Sequence, residues 1–95
     1  MGDKEKADRY SIQPEEAVSV MLERLQVLRQ YHRFSQADLS EQLGIKQTTY
    51  SDYEGGKVRI PVDKVIALAA LYDVDMNYIC GVTERSKPFP RKYWT

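Results

Sequence analysis

The sequence predicts an all-α protein of five helices, and three observations carry that expectation. Apolar residues recur at spacings of three and four in two stretches: Val18, Met21, Leu22, Leu25 and Leu28, then Val62, Val65, Ile66 and Ala69. That is the period of a helix with one buried face. Glycine or proline marks most of the boundaries, at Pro14, Gly44, the Gly55–Gly56 pair, Pro61 and Gly81. No stretch shows the strict alternation of a half-buried strand, and no segment repeats.

Ninety-five residues suit one domain. Apolar residues at 42% and charged residues at 29% give a globular rather than a disordered balance. The formal net charge is zero. That argues mildly against nucleic acid, whose partners are usually basic, although the placement of charge counts for more than its sum. One cysteine allows no internal disulfide and there is no Cys/His cluster, which fits a reducing cytosol. The longest apolar run, VIALAALY at 65–72, is too short to span a bilayer. The polar start, MGDKEKADRY, resembles neither a signal peptide nor a lipid anchor. A cytoplasmic protein without a membrane partner is expected.

Residues 1–12 carry no apolar periodicity and are expected to fray. Pro14 with Glu15 and Glu16 starts a helix over 14–32, since proline suits the first position and acids complement the helix dipole. Arg29, His32 and Arg33 suit its carboxyl end. Ser35 is a good N-cap for a helix over 36–43, although Asp38 only approximates a capping box. Gly44 ends that helix. A third helix runs over about 46–54 with a poor cap, Lys46. Pro61 opens the fourth, Asp73 and Asp75 break it, and Asp75 can cap a last short helix over 76–80. The domain is thus expected over 13–83, with a tail over 84–95.

The third helix raises the functional question. Ile45, Tyr50 and Tyr53 fall on one side, which leaves Gln47, Thr48, Ser51 and Asp52 towards water. These are short hydrogen-bonding side chains rather than the Lys and Glu of an ordinary solvated face. Two short helices joined by a glycine turn, the second with such a face, describe a helix-turn-helix unit over 36–54. Ser40 is small where the two helices would cross, and Leu39 and Leu43 would lock the unit onto its neighbours.

The stretch SQADLSEQLGIKQTTYSDYEGGKVRIP, residues 35–61, resembles the phage-repressor-like, XRE-type helix-turn-helix family. The shared pattern is a Ser-Gln start, a small residue four after the Gln, a Gly-Ile turn, an aromatic-Glu-x-Gly exit, and a basic loop leading to a proline. VDKVIALAALYDVDMNYICGVTE continues it, so the resemblance covers about residues 22–83. It implies a five-helix, lambda-repressor-like fold with an extended first helix, binding double-stranded DNA through the third helix in the major groove.

The resemblance also implies roles. Gln47 can pair with an adenine edge, and Thr48 can offer a hydroxyl or methyl contact. Ser51 could reach base or backbone, and Thr49 would face partly inward. Gln36, Lys46, Lys57, Arg59 and Arg33 are the expected phosphate contacts, setting affinity and register. Arg29 and Glu54 match positions that pair across the core. Asp52 departs from the family's neutral or basic residue: it either accepts from a cytosine amino group or points aside and lowers non-specific affinity.

Ordinary readings stand beside these. Tyr50 suits the core better than base stacking, Cys80 reads as a small buried hydrophobe, and His32 as a surface or C-cap residue. The tail sets Phe89, Tyr93 and Trp94 among cations, with Arg85, Lys87, Arg91 and Lys92 against Glu84 leaving residues 81–95 at net +3. Its aromatics are expected to dock on their own domain or on a protein partner.

The expected function is a sequence-specific, double-stranded DNA-binding transcriptional regulator, a repressor acting as a homodimer, with Met76, Tyr78 and Ile79 as dimer contacts. The alternatives are an antitoxin-like protein or an interaction module whose tail or first helix holds a protein. An enzyme is not expected, since no metal-ligand cluster or phosphate-cradling loop is present, and no cofactor is called for.

Overall fold

The structure, a computed structural model, describes residues 13–93. The expectations for residues 1–12 and for Trp94 lie outside them. Five α-helices follow one another: α1 Pro14–Tyr31, α2 Gln36–Leu43, α3 Gln47–Glu54, α4 Val62–Tyr72 and α5 Met76–Ile79. A single 3-10 turn, Arg91–Tyr93, closes the described chain.

Local chemistry accounts for most of the boundaries. Pro14 begins α1 with Glu15 and Glu16 in its first turn and Arg29 in its last. The chain leaves α1 through Arg33 in the left-handed region (φ 61°), which lets the Arg33 and Phe34 N–H groups return to the carbonyls of Gln30 and Arg29 at 3.0 Å. The capping box of α2 is complete rather than approximate. Asp38 N–H donates to Ser35 Oγ at 3.0 Å, and Ser35 N–H donates to Asp38 Oδ2 at 2.8 Å. The shorter aspartate reaches back as a glutamate would, and these bonds hold its carboxyl below the usual range.

Gly44 turns the chain between α2 and α3 at φ 67°, a conformation that costs other residues a steric penalty. Pro61 stands one position outside α4, and its carbonyl accepts the Lys64 and Val65 N–H groups. The α5 helix ends at Ile79, one residue short of the expected end, and Asp75 does not cap it with its side chain.

The core takes one or more residues from every helix: Leu25, Leu39, Tyr50, the Val65–Leu68–Ala69–Tyr72 face of α4, and Ile79. The α2 and α3 helices pack on each other, α1 reaches α3 and α5, and α4 reaches α5. Ile79 is fully buried, so it belongs to the core and not to a dimer surface; Met76 and Tyr78 are half-buried against it. Cys80 is exposed, contrary to expectation, because the short α5 ends before it.

The segment after α5 returns to the body. Asp75 N–H donates to Lys87 O at 2.8 Å, and the Asp75 carboxylate accepts Lys87 N–H at 3.2 Å. Asp73, in the left-handed region at φ 55°, accepts Phe89 N–H at 3.1 Å. Arg91 donates to the Ala70 carbonyl and lies 3.9 Å from Asp73. Phe89 enters the core at 6% exposure, so the first aromatic of the tail docks on its own domain.

Candidate nucleic-acid interface

Three features set the position of α3. Its amino end follows the Gly44 turn, where Ile45 N–H bonds the Ser40 carbonyl at 2.9 Å and Ser40, buried, turns its hydroxyl onto Ala37 O. Its inner face buries Tyr50 and Tyr53. Its carboxyl end is tied to α1 by Glu54, whose carboxylate accepts Arg29 Nη2 at 2.8 Å and Nε at 2.9 Å. Arg29 Nη1 also donates to Phe34 O at 2.9 Å, so one guanidinium joins α1, the following turn and α3.

Both side chains of the ion pair are largely withdrawn from water, at 14% exposure for Arg29 and 6% for Glu54. Bonding to Glu54 raises the pKa of Arg29. Burial, then the neighbouring Glu54 charge, pushes the Tyr50 phenol up. Burial also pushes Tyr72 up to about 12. The Tyr72 hydroxyl is buried without a hydrogen-bond partner among the described residues, and its ring stacks on His32 with centroids 5.3 Å apart.

The outward face of α3 carries Gln47, Thr48 and Ser51, all exposed, with Thr49 half-buried beside them. Asp52 does not stand fully in water as expected. It is half-buried, and its carbonyl accepts the Lys57 N–H at 2.9 Å as the chain turns past Gly55 and Gly56. Lys46, at the amino end of α3, makes no side-chain cap, so the first-turn N–H groups are left to solvent or to an anion. Lys57 and Arg59 are exposed on the loop beyond the other end, Arg33 is exposed before α2, and Gln36 is half-buried at its start. An exposed row of short hydrogen-bonders is thus flanked by separate cations, on a helix fixed at both ends.

Sequence reasoning missed several supports. Lys64 Nζ reaches the Leu43 carbonyl at the end of α2 at 3.5 Å. Arg24 donates to the carbonyls of Tyr78 and Thr83 and lies over the Tyr78 ring at 4.4 Å, joining α1 to the exit of α5. A carbonyl partner leaves no mark in side-chain pattern, so nothing in the sequence singled these residues out. Among the described residues no group of His, Cys, Asp and Glu is placed to hold a metal ion. No described helix is long and apolar enough to cross a membrane.

Residues 21–77, more than half of the chain, match the family described as a helix-turn-helix domain. The chain is also similar to the "Uncharacterized HTH-type transcriptional regulator YobD" of Bacillus subtilis (strain 168), at 39% identity over 66 residues. That alignment covers 70% of this chain and 59% of the relative, so the chain spans less than two thirds of the relative's length. No solved structure matches. With the turn geometry at Gly44 and the paired α2 and α3, these matches show that the chain belongs to the helix-turn-helix domain family.

Proposed function

We propose that the protein is a sequence-specific, double-stranded DNA-binding regulator of transcription, of the phage-repressor-like, XRE type. The observation that carries this reading is the outward face of α3: Gln47, Thr48 and Ser51 stand exposed on a helix whose far end is clamped by Arg29 and Glu54. Such a helix fits the major groove, where Gln47 pairs with an adenine edge and Thr48 and Ser51 contact base or backbone. Lys46, with the free N–H groups of the first turn, together with Lys57, Arg59, Arg33 and Gln36, holds phosphates and sets the register.

The resemblance to a protein named as an HTH-type transcriptional regulator supports regulation as the purpose. One recognition helix reads few base pairs, so useful discrimination calls for two copies on half-sites about one helical turn apart. The simplest action is repression in the cytoplasm, a homodimer occluding a promoter. A partner protein held by the tail is the less favoured reading, since Phe89 is already buried in the chain's own core.

Selection of bound duplexes from a random pool tests the proposal. A recovered palindrome with half-sites about one turn apart, blurred at particular positions by Gln47→Ala, supports it. Recovery only of random sequence that is lost on raising salt would overturn it.

A further inference from the structure

Between the amino-terminal half of α1 and residues 55–60 of the α3–α4 loop lies a cleft of about 450 Å³. That volume falls in the range of small-ligand sites, roughly 300–1,000 Å³. Its walls are apolar: Val18, Met21 and Leu22 from α1, with Val58 and Ile60 from the loop. All but Val58 are half-buried, and Met21 and Ile60 also pack against the core, so the cleft reaches the core's edge.

The loop side is held in shape. At its start Gly55 N–H bonds Ser51 O and Lys57 N–H bonds Asp52 O, both at 2.9 Å. At its end Pro61 leads directly into α4. Gly56, at φ 76°, brings the loop onto α1, since a Cβ there would lie 3.5 Å from Leu22 Cδ1. A ligand would meet walls already in place, with little loop ordering to offset.

Two ionisable side chains line the cleft, Arg59 from the loop and Glu15 from α1. Neither forms an ion pair or a side-chain hydrogen bond with any described residue. Arg59 therefore offers an unengaged guanidinium, the planar fork that takes a carboxylate by two parallel bonds. The charge alone would attract any anion. The apolar walls select one that carries a hydrocarbon body, because only such a body removes them from water. Glu15 repels an anion and so directs its head group to the Arg59 side.

We propose that this cleft binds a small aliphatic carboxylate, its head group on Arg59 and its chain against Val18, Leu22 and Ile60. Arg59 is also one of the cations set against phosphate above, so one guanidinium serves two anions in turn. Carboxylate in the cleft withdraws a phosphate contact and loosens the hold on DNA, and by reciprocity DNA loosens the carboxylate. The site stands without DNA; only this regulatory consequence rests on the DNA-binding reading.

Amide NMR titration of the full chain with hexanoate, in the absence of DNA, tests the site. Hexanoate should shift Leu22, Gly56 and Ile60 to saturation, while acetate and hexylamine should leave them in place. Arg59→Met and Val58→Asp, both at exposed positions, should each raise the hexanoate dissociation constant at least about tenfold. With duplex present, saturating hexanoate should make the fall of log affinity with log salt shallower by about 0.9 than equal acetate does, the share of one phosphate contact.

A chain unmoved by hexanoate, or one that takes hexylamine as readily, would overturn the proposal. So would binding that survives Arg59→Met, or shifts centred on the residues of another cleft. A bound duplex indifferent to hexanoate would overturn the link to regulation. A chain that takes hexanoate in the cleft but holds no duplex would count against DNA recognition alone.

Discussion

Arg29 and Glu54, 25 residues apart in the chain, meet through bonds of 2.8 and 2.9 Å and join the last turn of α1 to the last residue of α3. The pair is withdrawn from water, so removing one partner strands the other. Glu54→Ala should cost roughly 3–5 kcal/mol and lower the melting temperature sharply. An apolar pair, Arg29→Met with Glu54→Leu, should be less damaging, because no charge is left uncompensated. Thermal melts of the three chains check this; a double variant as unstable as Glu54→Ala would point to shape rather than charge.

Tyr72 buries a hydroxyl that has no partner among the described residues. Tyr72→Phe removes that group and keeps the ring stacked on His32, so it should stabilise the fold at neutral pH by about 1 kcal/mol. The alkaline limb gives a second reading. Burial lifts Tyr72 from its ordinary 10.0 to about 12, so the folded chain binds its proton more tightly than the unfolded chain does. Wild-type stability is therefore untouched by this group below the unfolded value and falls as pH rises from there towards the folded one. Denaturant melts should show wild-type stability falling between pH 10 and 12, with a smaller fall in Tyr72→Phe.

Gly44 and Gly81 both adopt positive φ, at 67° and 80°, but only Gly81 is also crowded. Gly44→Ala should cost about 1–2 kcal/mol, the penalty for a left-handed L-residue. Gly81→Ala adds a contact of 2.8 Å with Val20 Cγ1 and should cost more. Trimming the neighbour separates the two causes. Val20→Ala should recover part of the Gly81→Ala loss and none of the Gly44→Ala loss in matched thermal melts.

How far these relationships were legible depends on their range in sequence. The helices were, because Pro14, the Ser35 cap, Gly44 and Pro61 act on their immediate neighbours. The Arg29–Glu54 pair was legible only through resemblance, since no local pattern links residues so far apart. The left-handed exit at Arg33 lacked a glycine to announce it. Asp75 looked like a cap but turned its carboxylate to Lys87, twelve residues on. The exposed face of α3 followed from helical period, although Asp52 sits further in because the chain folds back over its carbonyl.

Asp52 gives the proposed DNA reading a quantitative handle. A carboxylate near phosphate is repelled, so Asp52→Asn should raise affinity for random duplex, most at low salt where the repulsion is least screened. If the carboxylate accepts from a cytosine amino group, the substitution should also relax preference at one position of the selected site. Binding titrations on random and selected duplexes at matched salt separate the outcomes. Unchanged affinity on both would place Asp52 away from DNA.

Phe89 makes the segment beyond α5 part of the folded unit. Its ring is buried at 6% exposure, and the backbone on either side is held by Asp73, Asp75 and Arg91. Phe89→Ala should therefore cost about 3–5 kcal/mol, the range for emptying a buried aromatic site. Asp73→Asn keeps a residue suited to the left-handed backbone and an acceptor for Phe89 N–H while removing the solvent-exposed ion pair with Arg91, so a loss below about 1 kcal/mol is expected. Denaturant unfolding of both variants decides the matter. A Phe89→Ala chain as stable as wild type would mean that residues 84–93 lie on the domain without supporting it.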